Sequence, residues 1–217
     1  MTGALLLTGG GELHDPWHPF PATSRRIAAL LEADQVPTTI VDTVDALGDA
    51  VDGARLLVIN AGSGIGPTPH DDALLAIVET HLAAGRGLLA VHATAGLLPG
   101  SRAWERALGG CWVPGVSDHP PLGDARVLLG GHELVDGLDE VHVVDERYTG
   151  LRVAPDATVI AWHEEGGARH PIAWAREAAG SGARVVYDAL GHDERSYDSA
   201  SRCALLRAEV RWLLAGR

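Results

Sequence analysis

Short apolar runs followed by glycine or small polar residues recur through the first half of the chain. A short strand is predicted at residues 38–41, after Pro37. Residues 3–7, 54–59 and 88–91 contain mostly apolar side chains, which is typical of strands buried on both faces of a parallel sheet. Between the last two runs, residues 71–84 carry apolar side chains at helical spacing. Strands that alternate with helices predict an α/β fold with a doubly wound, mainly parallel sheet.

The second half of the chain has a different pattern. Short strands are predicted at residues 126–129, 141–144, 158–162 and 171–174, and Glu165-Gly166-Gly167 separates the last two as a turn, so these two are expected to be antiparallel. A further strand at 183–187 precedes a closing helix. In the first half, Ser24 is predicted to cap the N-terminus of a helix. No repeat or low-complexity linker interrupts residues 1–217, so we expect a single domain.

Composition excludes several function classes. The chain has 29 acidic and 17 basic residues, a net charge of −12, which argues against nucleic acid or an anionic membrane as a partner. It contains no lysine, which excludes Schiff-base chemistry and a phosphate-loop lysine. Cys111 and Cys203 lie far apart and are expected to be unpaired thiols in a reducing compartment. With neither a signal peptide nor an apolar run of membrane-spanning length, we expect a cytoplasmic protein.

His92 directly follows the apolar run at 88–91, and small residues follow it. A tight turn after a buried strand would place its side chain at the edge of the sheet where α/β proteins bind ligands, in the geometry of the nucleophile elbow of hydrolases. Imidazole cannot replace Ser or Cys in acyl transfer. The other interpretation is a buried histidine bonded to a neighbouring carbonyl, and the pattern leaves both open.

Two loops add candidate ligand-binding residues. The segment His14-Asp15-Pro16-Trp17-His18-Pro19 follows the first strand, and its prolines predict a loop rather than a helix. The glycine-rich segment 60–66 follows another predicted strand. Both are expected at the carboxyl edge of the sheet, where a pocket would lie.

Several motifs together resemble one family in order and over nearly the whole chain. They are the loop 14–18, Gly87-Leu88-Leu89-Ala90-Val91-His92, Leu108-Gly109-Gly110 running to His119-Pro120, Asp145-Glu146-Arg147-Tyr148, and Pro171-Ile172-Ala173-Trp174 running through 182–187 to Gly191-His192-Asp193. This combination resembles the ThuA-like (trehalose utilisation) family. The resemblance implies a flavodoxin-like fold with helices on both faces, as in class I glutamine amidotransferases. It also implies a link to the metabolism of trehalose and 3-keto-sugars.

The same resemblance assigns positions. His92 occupies the place of the amidotransferase's nucleophilic cysteine, and His192 with Glu194 corresponds to its downstream His-x-Glu. A histidine cannot form the thioester of glutamine hydrolysis, so a glutaminase is not expected. This sequence has Arg147 and Thr149 around Tyr148, where the family more commonly has Leu-Tyr.

The candidate site residues fall into three groups. Expected to be catalytic are His92, His192 and Glu146. Expected to bind substrate are His14, Trp17, His18, His119, Tyr148 and Asp193. Four histidines are candidate ligands of a divalent transition metal such as zinc, although no HExxH-type spacing exists: His14, His18, His92 and His192.

Two functions therefore remain open at this stage. One is a sugar hydrolase or isomerase that uses His/Glu acid–base or metal-assisted chemistry. The other is a non-catalytic protein that binds a sugar or another metabolite and has a regulatory role. A small-molecule sugar is the expected partner in both, nucleic acid and membrane are not expected, and a homo-oligomer is compatible with the sequence.

Overall fold

The computed structural model describes residues 3–62 and 68–216, apart from the side chain of Glu12. The strands of the described residues are β1 Gly3–Thr8, β2 Thr38–Val41, β3 Ala54–Asn60, β4 Gly87–Val91, β5 Gly110–Cys111, β6 Gly123–Leu129, β7 Val141–Asp145, β8 Arg152–Val153, β9 Thr158–Glu165, β10 Ala168–Glu177 and β11 Arg184–Asp188. The α-helices are α1 Phe20–Ala33, α2 Val44–Ala50, α3 Asp71–Ala83, α4 Arg102–Leu108 and α5 Ala200–Ala215. Short 3₁₀ turns connect several of them.

Nine of these strands form one sheet in the order β2-β1-β3-β4-β11-β10-β9-β6-β7. The first five are parallel to one another, and each pair from β11 to β7 is antiparallel. The predicted α/β fold with a mainly parallel doubly wound sheet and antiparallel strands in the second half is confirmed. The antiparallel strands belong to the same sheet, and β10 alone is ten residues long.

The central strands of the parallel half of the sheet are covered on both sides, whereas the edge strand β2 is partly exposed. All five residues of β4 and the last five of β3 are buried. Helix α1 packs against α5 in one layer, and α3 packs against both α2 and α4 in the other. The alternation of buried strands and amphipathic helices thus produces the three-layer architecture.

Helix α1 begins earlier than the sequence predicts. Phe20 is its first residue, and Pro21 lies in the first turn, where the missing backbone N–H of a proline costs nothing. Ser24 is therefore not the cap but a buried residue of the second turn. Its hydroxyl donates to Oγ1 of Thr8 at 2.8 Å and accepts from the Asn60 amide at 2.9 Å. The hydroxyl ties α1 to the ends of β1 and β3.

The hairpin of the second half is as predicted. Strands β9 and β10 are antiparallel and are joined through Gly166 and Gly167, which both have positive φ angles of 58° and 79°. Two consecutive residues in this conformation form the turn that suits the twist of a β-hairpin. In the described residues, no helix has the length and apolar character required to span a membrane.

Candidate active site

Four loops meet at the carboxyl edge of the sheet. They follow β1, β4 and β11 in the parallel half, and β7 in the antiparallel half. Because β10, β9, β6 and β7 alternate in direction, β7 runs the same way as β11 and ends at the same edge. The loops after these strands carry His18, His92, Glu146 and His192. This edge is where ligands bind in α/β sheets.

His92 lies at the apex of the turn after β4, in a left-handed backbone conformation with φ of 52°. The hydroxyl of Tyr187 donates to the carbonyl oxygen of His92 at 2.8 Å and supports the turn. The ring is 1% exposed. Its Nδ1 donates to the carbonyl of Ala189 at 2.6 Å, and its Nε2 lies 3.0 Å from the Tyr148 hydroxyl. Both expectations for His92 therefore apply: one nitrogen satisfies a carbonyl, and the other faces the remaining site residues.

Glu146 lies at the centre of these side chains. Its Oε2 is 3.4 Å from Nε2 of His92, and its Oε1 is 3.2 Å from Nδ1 of His192 and 3.6 Å from Nδ1 of His119. Burial alone would raise the pKa of Glu146, but the neighbouring His192 and His92 imidazoles outweigh it and hold the pKa well below its ordinary value. The carboxyl group is therefore ionised at neutral pH.

The backbone around His192 is held by a fully buried carboxylate, Asp145. Its oxygens accept from the backbone N–H groups of Gly191 at 2.8 Å, His192 at 3.1 Å and Glu146 at 2.9 Å. One carboxylate thus joins the loop after β7 to the loop after β11. Burial acts to lower the pKa of His192, but Glu146, assisted by Asp145 and Asp193, outweighs it and raises the pKa.

His18 is hydrogen-bonded to the carboxylate of Asp15, whose oxygens lie 2.7 and 2.8 Å from Nδ1 of the ring. The same carboxylate accepts from the backbone N–H groups of Trp17 and His18, both at 3.0 Å. The ring of His18 packs edge-on against His92 and His192, with centroids 4.8 and 4.9 Å away. Burial, with the neighbouring imidazoles, lowers the pKa of His18 despite the opposing effect of Asp15. A neutral His18 therefore donates from Nδ1 and presents Nε2 to the other rings.

A cavity of about 590 Å³ opens above these residues. Its described lining consists of Asp15, Trp17, His18, Gly62, Ala93, Gly96, Trp112, His119, Glu146, Tyr148 and His192. Trp17 is 63% exposed at the rim, and Trp112 packs edge-on against Tyr148 with centroids 4.9 Å apart. An aromatic wall above a polar floor suits a small ligand with one apolar face and several polar atoms.

The comparison with protein-family models decides the family. Residues 4–213 match the ThuA family, which is described as trehalose utilisation. The chain belongs to the ThuA family. This membership supports a role related to trehalose utilisation. A comparison with curated protein sequences finds no match.

Solved structures similar to this ThuA-family chain agree in fold. A ThuA-like protein from Parabacteroides merdae has a TM-score of 0.77 at 14% identity, over 99% of this chain and 90% of that one. A ThuA-like protein from Bacteroides uniformis has a TM-score of 0.72 at 14% identity, over 98% and 90%. A glutamine amidotransferase from Methylobacillus flagellatus has a TM-score of 0.55 at 13% identity, over 88% and 69%. At these identities the likeness shows a shared fold.

The fold of this chain brings most of the predicted site residues together. His18, His92, Glu146 and His192 form one cluster, and Trp17, His119 and Tyr148 border it. His14 is exposed and lies outside this cluster, because the loop directs Asp15 and His18 inward instead. Of the predicted glycine-rich loop 60–66, Gly62 lines the cavity, and residues 63–67 lie outside the described residues.

Two predicted positions after β11 are placed away from the cavity lining. Asp193 caps the following 3₁₀ turn by accepting from the backbone N–H of Arg195 at 2.9 Å, and it also pairs with the Arg195 guanidinium. Glu194, the counterpart of the amidotransferase glutamate, is exposed. Glu146, and not Glu194, lies beside His192 at 3.2 Å. The roles of Asp15 and Asp145 were not predicted, although both residues lie within the motifs 14–18 and 145–148.

A buried charged group supports the loop after β11. Asp188, Arg202 and Glu209 are all fully buried, and Oδ2 of Asp188 lies 2.9 Å from Nη1 of Arg202. The guanidinium also donates to the carbonyl of Leu190 at 3.3 Å, and the other Asp188 oxygen accepts from the Leu190 N–H at 2.9 Å. Burial and the Asp188 charge raise the pKa of Glu209 well above its ordinary value, which favours the uncharged carboxyl group. This group anchors the loop that supplies both the Ala189 carbonyl and His192.

Proposed function

We propose that this ThuA-family protein is an enzyme that binds a sugar or a 3-keto-sugar in the cavity and acts on it through the His/Glu cluster. The observation that carries the proposal is the position of Glu146. Its two oxygens face His92 and His192 at the floor of a cavity that is walled by aromatic rings. Groups that can exchange protons or bind a cation are thus concentrated where a ligand would enter.

The cavity supports a sugar as the ligand class. Its volume of about 590 Å³ lies within the range of small-molecule pockets, about 300–1,000 Å³. Trp17 and Trp112 offer flat apolar faces to the C–H face of a pyranose ring, and His119 and Glu146 offer polar atoms to its hydroxyls. The family's description as trehalose utilisation agrees with this class.

An enolisable keto-sugar suits the cluster chemically. A base removes the proton on the carbon next to the carbonyl, and the electron pair of that C–H bond forms an enolate whose oxygen must be stabilised. If the deprotonated carbon carries a hydroxyl, transfer of that hydroxyl proton to the enolate oxygen and protonation of the former carbonyl carbon move the carbonyl by one carbon. Alternatively, the enolate re-forms the carbonyl as the C–O bond on the next carbon breaks, and the leaving oxygen takes a proton from an imidazolium. Two chemistries of the cluster support this step: proton transfer through the imidazoles, or a bound cation that polarises the carbonyl.

The site does not support glutamine hydrolysis. That reaction needs a thiolate at the elbow, where this chain has His92, and the ring nitrogens of His92 already face the Ala189 carbonyl and Tyr148. Cys111 is hydrogen-bonded to Arg152 and does not line the cavity. The chain thus has an amidotransferase-like fold but lacks the nucleophile that the amidotransferase reaction requires.

Incubation with a 3-keto-glycoside in D₂O tests the proposal. We expect exchange of the proton next to the carbonyl and formation of a product, both followed by NMR. His192→Ala and Glu146→Gln should each lower the rate by about 100-fold or more, as loss of a group in proton transfer does. His14→Ala, in the same loop as His18 but exposed, should retain the rate.

Unchanged turnover in both His92→Ala and His192→Ala would refute this assignment. Calorimetric binding of the sugar with neither exchange nor product would instead identify a sugar-binding protein without catalysis. That outcome would replace the proposed enzyme by a regulatory or carrier function on the same fold.

A further inference from the structure

The side chains of His18, His92, Glu146 and His192, called here the four-residue centre, converge on a single point. One ligand atom from each lies within 4.8 Å of the others. No second group of three or more His, Cys, Asp or Glu side chains converges in this way within residues 3–62 and 68–216. The four residues come from four separate loops, so their convergence is a product of the whole sheet and not of local spacing.

The distances within this centre match metal coordination. Glu146 Oε2 is 3.4 Å from His92 Nε2, and Glu146 Oε1 is 3.2 Å from His192 Nδ1. For metal bonds of about 2.0–2.1 Å to nitrogen and oxygen, the edge of a coordination tetrahedron is about 3.3–3.4 Å. These two distances fit donor atoms that share one ion, and the four ligand atoms all lie within 4.8 Å of one another.

Two of the three imidazoles are oriented as metal ligands are. His92 Nδ1 must carry its proton, because the Ala189 carbonyl 2.6 Å away can only accept. His18 Nδ1 is likewise committed to the Asp15 carboxylate at 2.7 Å. In each neutral ring the lone pair is then on Nε2. In His92 this nitrogen faces the Tyr148 hydroxyl at 3.0 Å, so ion binding there requires that hydroxyl to turn away. A ligating histidine almost always donates its other N–H to a carboxylate or a backbone carbonyl in this way.

The third imidazole has an unsatisfied nitrogen. Nδ1 of His192 is buried and makes no hydrogen bond of acceptable geometry to the described residues, although Glu146 is 3.2 Å away. A buried nitrogen without a partner costs free energy unless a proton acceptor, a donor or a cation satisfies it. One divalent ion between the four side chains would supply that partner.

We propose that the four-residue centre binds one divalent first-row transition-metal ion, with Zn²⁺ as the first candidate. Three imidazoles and one carboxylate favour such an ion over Mg²⁺ or Ca²⁺, which prefer oxygen ligands. Asp15 and the Ala189 carbonyl orient two of the ligands. Glu146 and His192 line the cavity, so a sugar oxygen can reach the ion, which would polarise a carbonyl there.

This inference shares its site with the proposed function, but binding can be measured without turnover. The full chain without an affinity tag, freed of metal by a chelator and dialysed, is titrated with ZnCl₂ by calorimetry, and bound metal is counted by elemental analysis. Co²⁺ provides a second readout through its d–d absorption. We expect one ion per chain and Co²⁺ bands typical of four or five ligands.

Matched variants locate the ion. His18→Ala and His192→Ala should each weaken Zn²⁺ binding by more than about 100-fold, whereas Asp15→Asn should weaken it by about 10–100-fold, as loss of an orienting partner does. His14→Ala should bind as the wild type does. Glu146→Gln, which preserves shape, replaces any alanine variant that circular dichroism shows to be unfolded.

The outcomes distinguish the two proposals. Substoichiometric metal in the wild type, or equal affinities in the wild type and in folded His18→Ala and His192→Ala, would overturn the metal centre. Full turnover of a 3-keto-glycoside by the metal-free protein would show that the metal centre takes no part in catalysis, and the proposed enzymatic function would stand. One bound Zn²⁺ with no turnover in any metal state would retain the centre and refute the enzyme.

Discussion

Replacing His92 by glycine should give a more stable protein than replacing it by alanine. At most positions the order is the opposite, because glycine has more conformational freedom to lose on folding. The exception follows from the backbone of His92, whose φ of 52° lies in the left-handed region that a Cβ disfavours. Both variants lose the same hydrogen bonds to the Ala189 carbonyl and the Tyr148 hydroxyl, so those losses cancel in the comparison.

The expected difference can be worked out from two opposing effects. A residue with a Cβ pays about 1–2 kcal/mol in the left-handed conformation, which glycine avoids. The greater freedom of glycine in the unfolded chain costs about 0.5–1 kcal/mol in return. His92→Gly should therefore be more stable than His92→Ala by about 0.75 kcal/mol, the midpoint of a range of about 0–1.5 kcal/mol.

Urea unfolding at 25 °C, followed by circular dichroism and by tryptophan fluorescence, measures the two free energies of unfolding. Coincidence of the two probes checks that the transition is two-state. Ala90→Gly is the matched control: this buried residue in the neighbouring strand β4 has no positive φ, so glycine there should destabilise the protein. An alanine variant at position 92 as stable as the glycine variant, or more stable, would refute the claim that the turn is strained.

Three further outcomes are expected. Burial lowers the pKa of His81 from 6.5 to about 4 in the folded protein. As the pH falls below 6.5, His81 is protonated in the unfolded chain before it is protonated in the folded one, so the free energy of unfolding decreases between pH 6.5 and pH 4. Compared with His81→Gln, the wild type should lose about 2 kcal/mol more in urea unfolding between pH 7.5 and 4.5, whereas parallel pH profiles would contradict this. Arg202→Met, which leaves the buried Asp188 uncompensated, should cost about 3–5 kcal/mol in the same assay. Glu209→Gln should cost under about 1 kcal/mol, because burial raises the pKa of Glu209 and so favours an uncharged group there. Trp112→Leu should raise the KM or Kd for the sugar about three- to tenfold with little change in kcat, and an unchanged KM would exclude stacking on this ring.

Much of the fold could be predicted because its central parallel strands are buried on both faces. The runs at 54–59 and 88–91 agree with β3 and β4 to within one residue, since continuous apolar character is hard to mistake. The edge strand β2 also lies at 38–41 as predicted, although it is only partly buried. The predicted start of α1 was wrong because Ser24, a residue type that often caps helices, lies inside the helix. Pro21, in the first turn of the helix, is an equally good local signal for a helix start. Local patterns do not show which of two compatible starts tertiary packing selects.

The site was predictable residue by residue but not as an arrangement. His92 and His192 each stand directly after or near a strand, which marks them as edge residues. That Glu146 and not Glu194 meets His192 depends on the direction of β7 and its distance across the sheet, which no local spacing encodes. The same is true of Asp145, whose carboxylate binds backbone groups some 46 residues away in sequence.

The position of β11 has a consequence for how the chain is made. Strand β11 is the last strand of the described chain, yet it lies in the middle of the sheet, where it pairs with β4 on one side and with β10 on the other. During synthesis on the ribosome, the strands made before β11 can form only two separate four-stranded sheets. Each has an edge strand, β4 or β10, whose backbone groups are unpaired, and such edges promote aggregation. Translation that stalls before residue 184 should therefore yield insoluble chains and a dependence on chaperones, rather than a smaller working protein.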